Sequence, residues 1–110
     1  MLLEKLTSEV SRRVQDLLGD SLRNIILFGS YARGDYDEES DIDIMVLADI
    51  DENKLMEWQY KVNEIASDVS LDNSIMVCIM LNNKDLFEKR LPILPFYRNV
   101  VNDGVNIYAA

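Results

Sequence analysis

Cysteine is nearly absent: one residue, Cys78, stands among the 110, so no disulfide can form within the chain. It lies inside the apolar run Ser74 to Leu81, where a buried core thiol is expected. Basic residues are scarce, 11 against 20 acidic ones, for a net charge of −9. That balance argues against an extended surface for nucleic acid, because such binders carry a basic stripe. Continuous apolar runs fall far short of the roughly 20 residues that span a bilayer. The opening MLLEKLTSEVSRRV carries acids and no apolar block, so it does not read as a signal peptide, and a cytoplasmic protein without membrane contact is expected. Repeats, low-complexity tracts and linkers are missing as well. With 48% apolar residues, the chain reads as one domain, 1–110, with a modest core.

What is present centres on Ile25 to Leu47, IILFGSYARGDYDEESDIDIMVL. Two apolar runs, Ile25 to Phe28 and Ile42 to Leu47, flank a loop of glycines, serines and carboxylates. A plain acidic hairpin would explain the loop's polarity. It does not explain why Asp41 and Asp43 open the second run. Strand residues alternate between faces, so Asp41 and Asp43 share one face with Met45 while Ile42, Ile44 and Val46 take the other. Paired carboxylates repel unless a proton or cation lies between them. Oxygen ligands so spaced suit Mg²⁺, which binds through one or two carboxylates together with phosphates. Gly29-Ser30 offers close backbone approach, N–H groups and a hydroxyl to a phosphate.

Around this stretch, apolar residues at three- and four-residue steps predict a helix over about 2–18, stopped by Gly19. Tyr31-Ala32-Arg33 reads as a helical turn whose N–H groups point toward phosphates, and Gly34 takes a conformation that other residues avoid. Arg33 reads equally as a phosphate clamp or as a tie to neighbouring acids. Asp35, Asp37, Glu38 and Glu39 read as solvated charges, and Ser40 as a brace for the strand it precedes. Asp51 caps a helix to about Val69, with Leu55, Trp58, Val62, Ile65 and Val69 inward and Trp58 as a core anchor. A turn at Asp72-Asn73 leads to a third strand, Ser74 to Leu81, apolar on both faces. Helices follow over Lys84 to Arg90 and Phe96 to Asn102, closing at Gly104, and Val105 to Tyr108 forms an edge strand.

Gly29-Ser30, ten residues, then Asp41-Ile42-Asp43 resembles the GS-x10-DxD signature of the DNA polymerase β-like nucleotidyltransferase superfamily. The fuller GSYARGDYDEESDIDIMV is similar to the minimal nucleotidyltransferases of bacteria and archaea, often encoded beside a HEPN-domain partner. The later segments Lys84 to Phe87 and Asn99 to Tyr108 extend the resemblance over most of the chain. It implies an α+β fold: a small mixed sheet, palm-like, with helices packed on one side. It also implies Asp41 and Asp43 as catalytic metal ligands for Mg²⁺, and Gly29, Ser30, Arg33 and Ser40 as the nucleotide-binding set. The donor would be ATP or another NTP, and AMP would pass to a hydroxyl of a HEPN toxin, in a homo- or hetero-oligomer.

The chain departs from the family at one place. Complete members carry a third carboxylate on the third core strand, flanked by valines or isoleucines. SIMVCIML has none, and Asp72, just before it, is the only nearby substitute. The third acid completes a two-metal arrangement. Without it, a module that neutralises a HEPN partner by binding alone is an alternative to the enzyme. An antibiotic nucleotidyltransferase subunit ranks third, because such enzymes carry an extra helical domain for the acceptor.

Overall fold

The computed structural model describes residues 2–110. The amphipathic stripe predicted near the N-terminus forms α1 (Leu3–Leu18), burying Leu6, Val10, Val14 and Leu18. Gly19, at φ +54°, ends it, as its position predicts. Strand β1 (Leu22–Phe28) starts three residues earlier than the apolar run implied. Arg23 and Asn24 belong to it because their polar ends are satisfied: Arg23 pairs with Asp49, and Asn24 accepts from Lys84 Nζ at 2.9 Å. After β1 come the short α2 (Ser30–Arg33) and β2 (Ile42–Ala48). Asp51 caps a brief 3₁₀ turn, Glu52–Lys54, rather than the long helix itself. Helix α3 (Leu55–Asn73) runs four residues beyond Val69 and absorbs the expected Asp72-Asn73 turn. Strand β3 (Val77–Asn83), α4 (Lys84–Arg90), α5 (Pro95–Asp103) and β4 (Val105–Ala109) complete the chain.

The four strands lie in the order β3-β2-β1-β4. β1 is antiparallel to both β2 and β4, and β2 is parallel to β3, so the sheet is mixed and the fold is α+β, as expected. The helices, however, take both faces. Ile42, Ile44 and Val46 join α1 and α3 in the larger core. Met45 and Leu47 join Ile26, Phe28, Phe87 of α4 and Val100 of α5 in a smaller one. The reason lies in β1 and β2: both strands are apolar at alternate positions on either side and need a cover on each. Trp58 is only part-buried at the margin of the larger core, with Lys61 Nζ 4.2 Å from its ring centre.

β3 is an edge strand, and side chains of α3 close its outer edge. Gln59 donates to the Ile79 carbonyl and accepts from the Leu81 N–H, both at 2.8 Å, while Ser70 Oγ accepts from the Val77 N–H at 2.9 Å. A capped edge resists pairing with another chain. Gln59→Leu is expected to lower unfolding stability by about 1–3 kcal/mol, the cost of leaving part-buried backbone groups without partners. Urea unfolding measures it, and an unchanged midpoint would show that water replaces the amide at no cost.

Candidate active site

Both aspartates sit where β2 begins, at the end of the sheet where β1 stops. Asp43 pairs with Phe28 on β1 and with Cys78 on β3, and Asp41 lies two residues earlier, exposed. The face they share with Met45 is that of the smaller core, as strand alternation requires. Burial, chiefly, pushes the Asp43 carboxyl above its ordinary 3.8; the Asp41 charge adds to the rise and Arg33 opposes it. Asp43 is thus a half-buried carboxylate crowded by a second one, with a single cation near.

Gly29 is fitted to that carboxylate. Its φ is +76°, and a Cβ on it would lie 2.6 Å from Asp43 Oδ2. The backbone therefore passes against the acid as only glycine can. α2 opens at once, with the Ala32 and Arg33 N–H groups both donating to the Gly29 carbonyl at 3.1 Å. The leading N–H groups of such a turn have no partner within it, which suits an anion beside Ser30. Gly34, left-handed at φ +85°, closes the turn, as expected of it.

Arg33 Nε lies 3.2 Å from Asp35 Oδ2, both exposed, so in this structure the guanidinium ties the loop to an acid. The Ser40 hydroxyl accepts from the Asp37 N–H at 3.0 Å and lies 3.2 Å from Asp37 Oδ1, which also takes the Glu39 N–H. Ser40 thus braces the loop ahead of Asp41 through its hydroxyl. Asp35 and Asp37 are exposed, yet both organise the loop.

Two expectations about β3 are corrected. Asp72, the substitute third ligand, sits exposed on the last turn of α3, outside the strand. Among the described residues no three Asp, Glu, Cys or His side chains gather to hold an ion. Cys78 is not a core thiol: it is exposed on the aspartate face, directly beside Asp43. Burial, chiefly, raises its pKa, and Asp43 and then Asp41 raise it further. β3 is apolar by composition but buries only alternate residues, because the smaller core covers β1 and β2 and leaves its outer half open. Nothing in the apolar run SIMVCIML marks position 78 as facing the site.

The donor set fits one divalent cation with phosphate oxygens completing its shell: two carboxylates on one face, a glycine cradle and a serine beside it. The nucleotidyltransferase domain model matches residues 4–102. A provisionally named protein adenylyltransferase of Methanocaldococcus jannaschii is 33% identical over 105 residues, spanning 96% of this chain and 97% of its own. The chain belongs to the nucleotidyltransferase domain family. In fold it is similar to a chain of a toxin–antitoxin crystal structure with AMP-PNP, with TM-score 0.60 and 24% identity over 99% of this chain and 75% of the other. It is also similar, with TM-score 0.52 and 20% identity over 98% and 74%, to a chain of a tri-AMPylated HEPN toxin in complex with MNT antitoxin from Shewanella oneidensis.

The crowding at Asp43 has a consequence for stability. With its pKa raised on folding, the folded chain keeps this proton to higher pH than the unfolded one. Its contribution to stability therefore falls as pH climbs from 3.8 through the raised value, and stays low above it. Asp43→Asn is expected to melt higher than the parent at neutral pH in EDTA, with the difference vanishing toward pH 4. Thermal melts across that range check it; a lower melting point for the variant at neutral pH would show that the carboxylate stabilises the fold.

Proposed function

We propose that this chain transfers AMP from ATP, or an NMP from another NTP, to a hydroxyl of a HEPN-domain protein and acts as its antitoxin. The observation that carries the reading is the fit of Gly29 against the Asp43 carboxylate beside Asp41, a cradle with no role in a plain hairpin. Asp41 and Asp43 would hold Mg²⁺, which neutralises the triphosphate and the departing pyrophosphate. Gly29 and Ser30 hold the terminal phosphates by N–H and hydroxyl groups. Arg33, released from Asp35, is the one basic side chain in the loop that can follow the developing negative charge. The acceptor oxygen attacks the α-phosphorus, the bond to the bridging oxygen of the β-phosphate breaks, and the hydroxyl proton leaves toward the carboxylate face. Positioning and charge neutralisation suffice for this chemistry, so few residues need carry it.

Support for the acceptor class comes from the folds matched, one of which stands in complex with a tri-AMPylated HEPN toxin. A second reading, a module that binds its partner without turnover, is favoured by one observation: a neutral thiol stands beside Asp43 where a third acid would sit. Incubation with ATP labelled at the α-phosphate, Mg²⁺ and a HEPN-domain protein, if one is encoded next door, separates them. Label on the partner is the expected result. A tight complex that stays unlabelled would replace the enzyme by the module.

A further inference from the structure

We infer that the acceptor reaches the aspartates across β3, as an extended polypeptide segment with an apolar residue near its hydroxyl and cationic flanks; this rests on the proposed transfer reaction. Three sides of the site are already occupied. On the β1 side Phe28 is buried, and Phe96 of α5 stands edge-on to it with ring centres 5.7 Å apart. Beneath Asp43, Met45 is sealed in the smaller core. Ahead of Asp41 lies the loop braced by Asp37 and Ser40. On the β3 side the side chains that share the aspartate face are left exposed.

There the strand presents a row of uncovered side chains in step with the carboxylates. The Met76 carbonyl accepts from the Ile42 N–H, Cys78 is in register with Asp43, and Met80 is in register with Met45. Met76 is 58% exposed and Met80 40%. Methionines on an open surface adapt to varied apolar partners. The row continues into a groove of about 460 Å³ between α3 and the β3 edge, lined by Ser67, Ser70, Leu71, Met76 and Cys78 among others. Leu71, 80% exposed, is among its lining residues. Because Gln59 and Ser70 hold the backbone groups of the edge, a segment lying here is gripped by side chains and not by strand pairing.

Charge selects the occupant. No lysine or arginine is among the groove's lining residues, Asp72 follows Leu71, and Cys78 in its wall is in register with Asp43. With the loop acids Glu38 and Glu39 nearby in sequence and a net charge of −9, the path favours a cationic chain. An acidic segment would meet like charge there.

The test uses two synthetic peptides of equal length, each with one tyrosine beside a leucine. One has lysines on both flanks and the other glutamates at the same positions. With α-labelled ATP and Mg²⁺, the intact chain is expected to label the lysine peptide about tenfold or more faster. Met76→Lys/Met80→Lys is expected to bind ATP as the parent does by calorimetry, yet to lose labelling about tenfold. Leu71→Lys, at an exposed position of the groove lining, provides a second reading of the same path. Equal labelling of both peptides, undiminished labelling by both variants, or no peptide labelling by a chain that binds ATP would each overturn the inference. Failure to bind ATP at all would instead overturn the proposed reaction beneath it.

Discussion

Asp41→Asn/Asp43→Asn is expected to leave a folded chain that no longer transfers label from ATP, a loss of at least about a hundredfold, the size of removing a group that stabilises developing charge. Asparagine keeps the shape of each side chain and removes both negative charges. Folding should not suffer, because Asp43 is strained by burial and by its neighbour, and neutralising it relieves that crowding. The melting point of the double variant should match or exceed that of the parent, so that the missing activity cannot be assigned to unfolding. Magnesium should raise the parent's melting temperature in the presence of ATP and leave the variant's unmoved, as binding to the native state alone requires. Transfer within a few-fold of the parent would remove both aspartates from the reaction and with them the proposed function.

The second large effect is expected at Gly29. Its φ of +76° and ψ of −157° lie in a region that is essentially closed to side-chain-bearing residues, at a cost of about 1–3 kcal/mol. Alanine would in addition bring its Cβ to 2.6 Å from Asp43 Oδ2, and the carboxylate is the movable partner. Gly29→Ala should therefore fold less stably and also turn Asp43 out of place, so ATP binding and transfer fall together. Gly34→Ala separates the two causes. Gly34 is left-handed too, at φ +85°, but nothing lies within 4 Å of its Cβ position. It should lose about 1 kcal/mol of stability and keep its ATP affinity. Denaturant midpoints and calorimetry with ATP compare the pair. If the two variants lose affinity equally, the contact with Asp43 has no functional weight.

Much of this arrangement was legible in the sequence because local rules governed it. Alternation along Ile42–Leu47 assigned the aspartates to one face and the isoleucines to the other, and the structure keeps that division. The glycines at 19, 29 and 34 all adopt the positive φ that their places at element ends imply. What escaped was decided by distant contacts. Residues 74–81 give no sign that the strand lies at an edge with half its face uncovered, so Cys78 looked interior when it is exposed beside Asp43. Lys84 reaching Asn24 across 60 positions draws Arg23-Asn24 into β1, and no nearby residue announces it. The helices look alike from sequence, and only the sheet's two apolar faces divide them between sides. The apolar spacing of the helix runs out at Val69, which puts Asp72 in a turn by sequence; α3 carries it to a last exposed turn.

The parity of β2 binds the candidate site to folding. Were the strand to slide by a single position against its neighbours, Asp43 would be driven among the aliphatic residues beneath α1 and α3. An ionised acid in such surroundings is far costlier than any mispairing could offset. The acidic pair thus serves as a ratchet tooth that rejects misaligned sheets, so an insertion or deletion of one residue within β2 should prevent folding before it could produce an inactive enzyme.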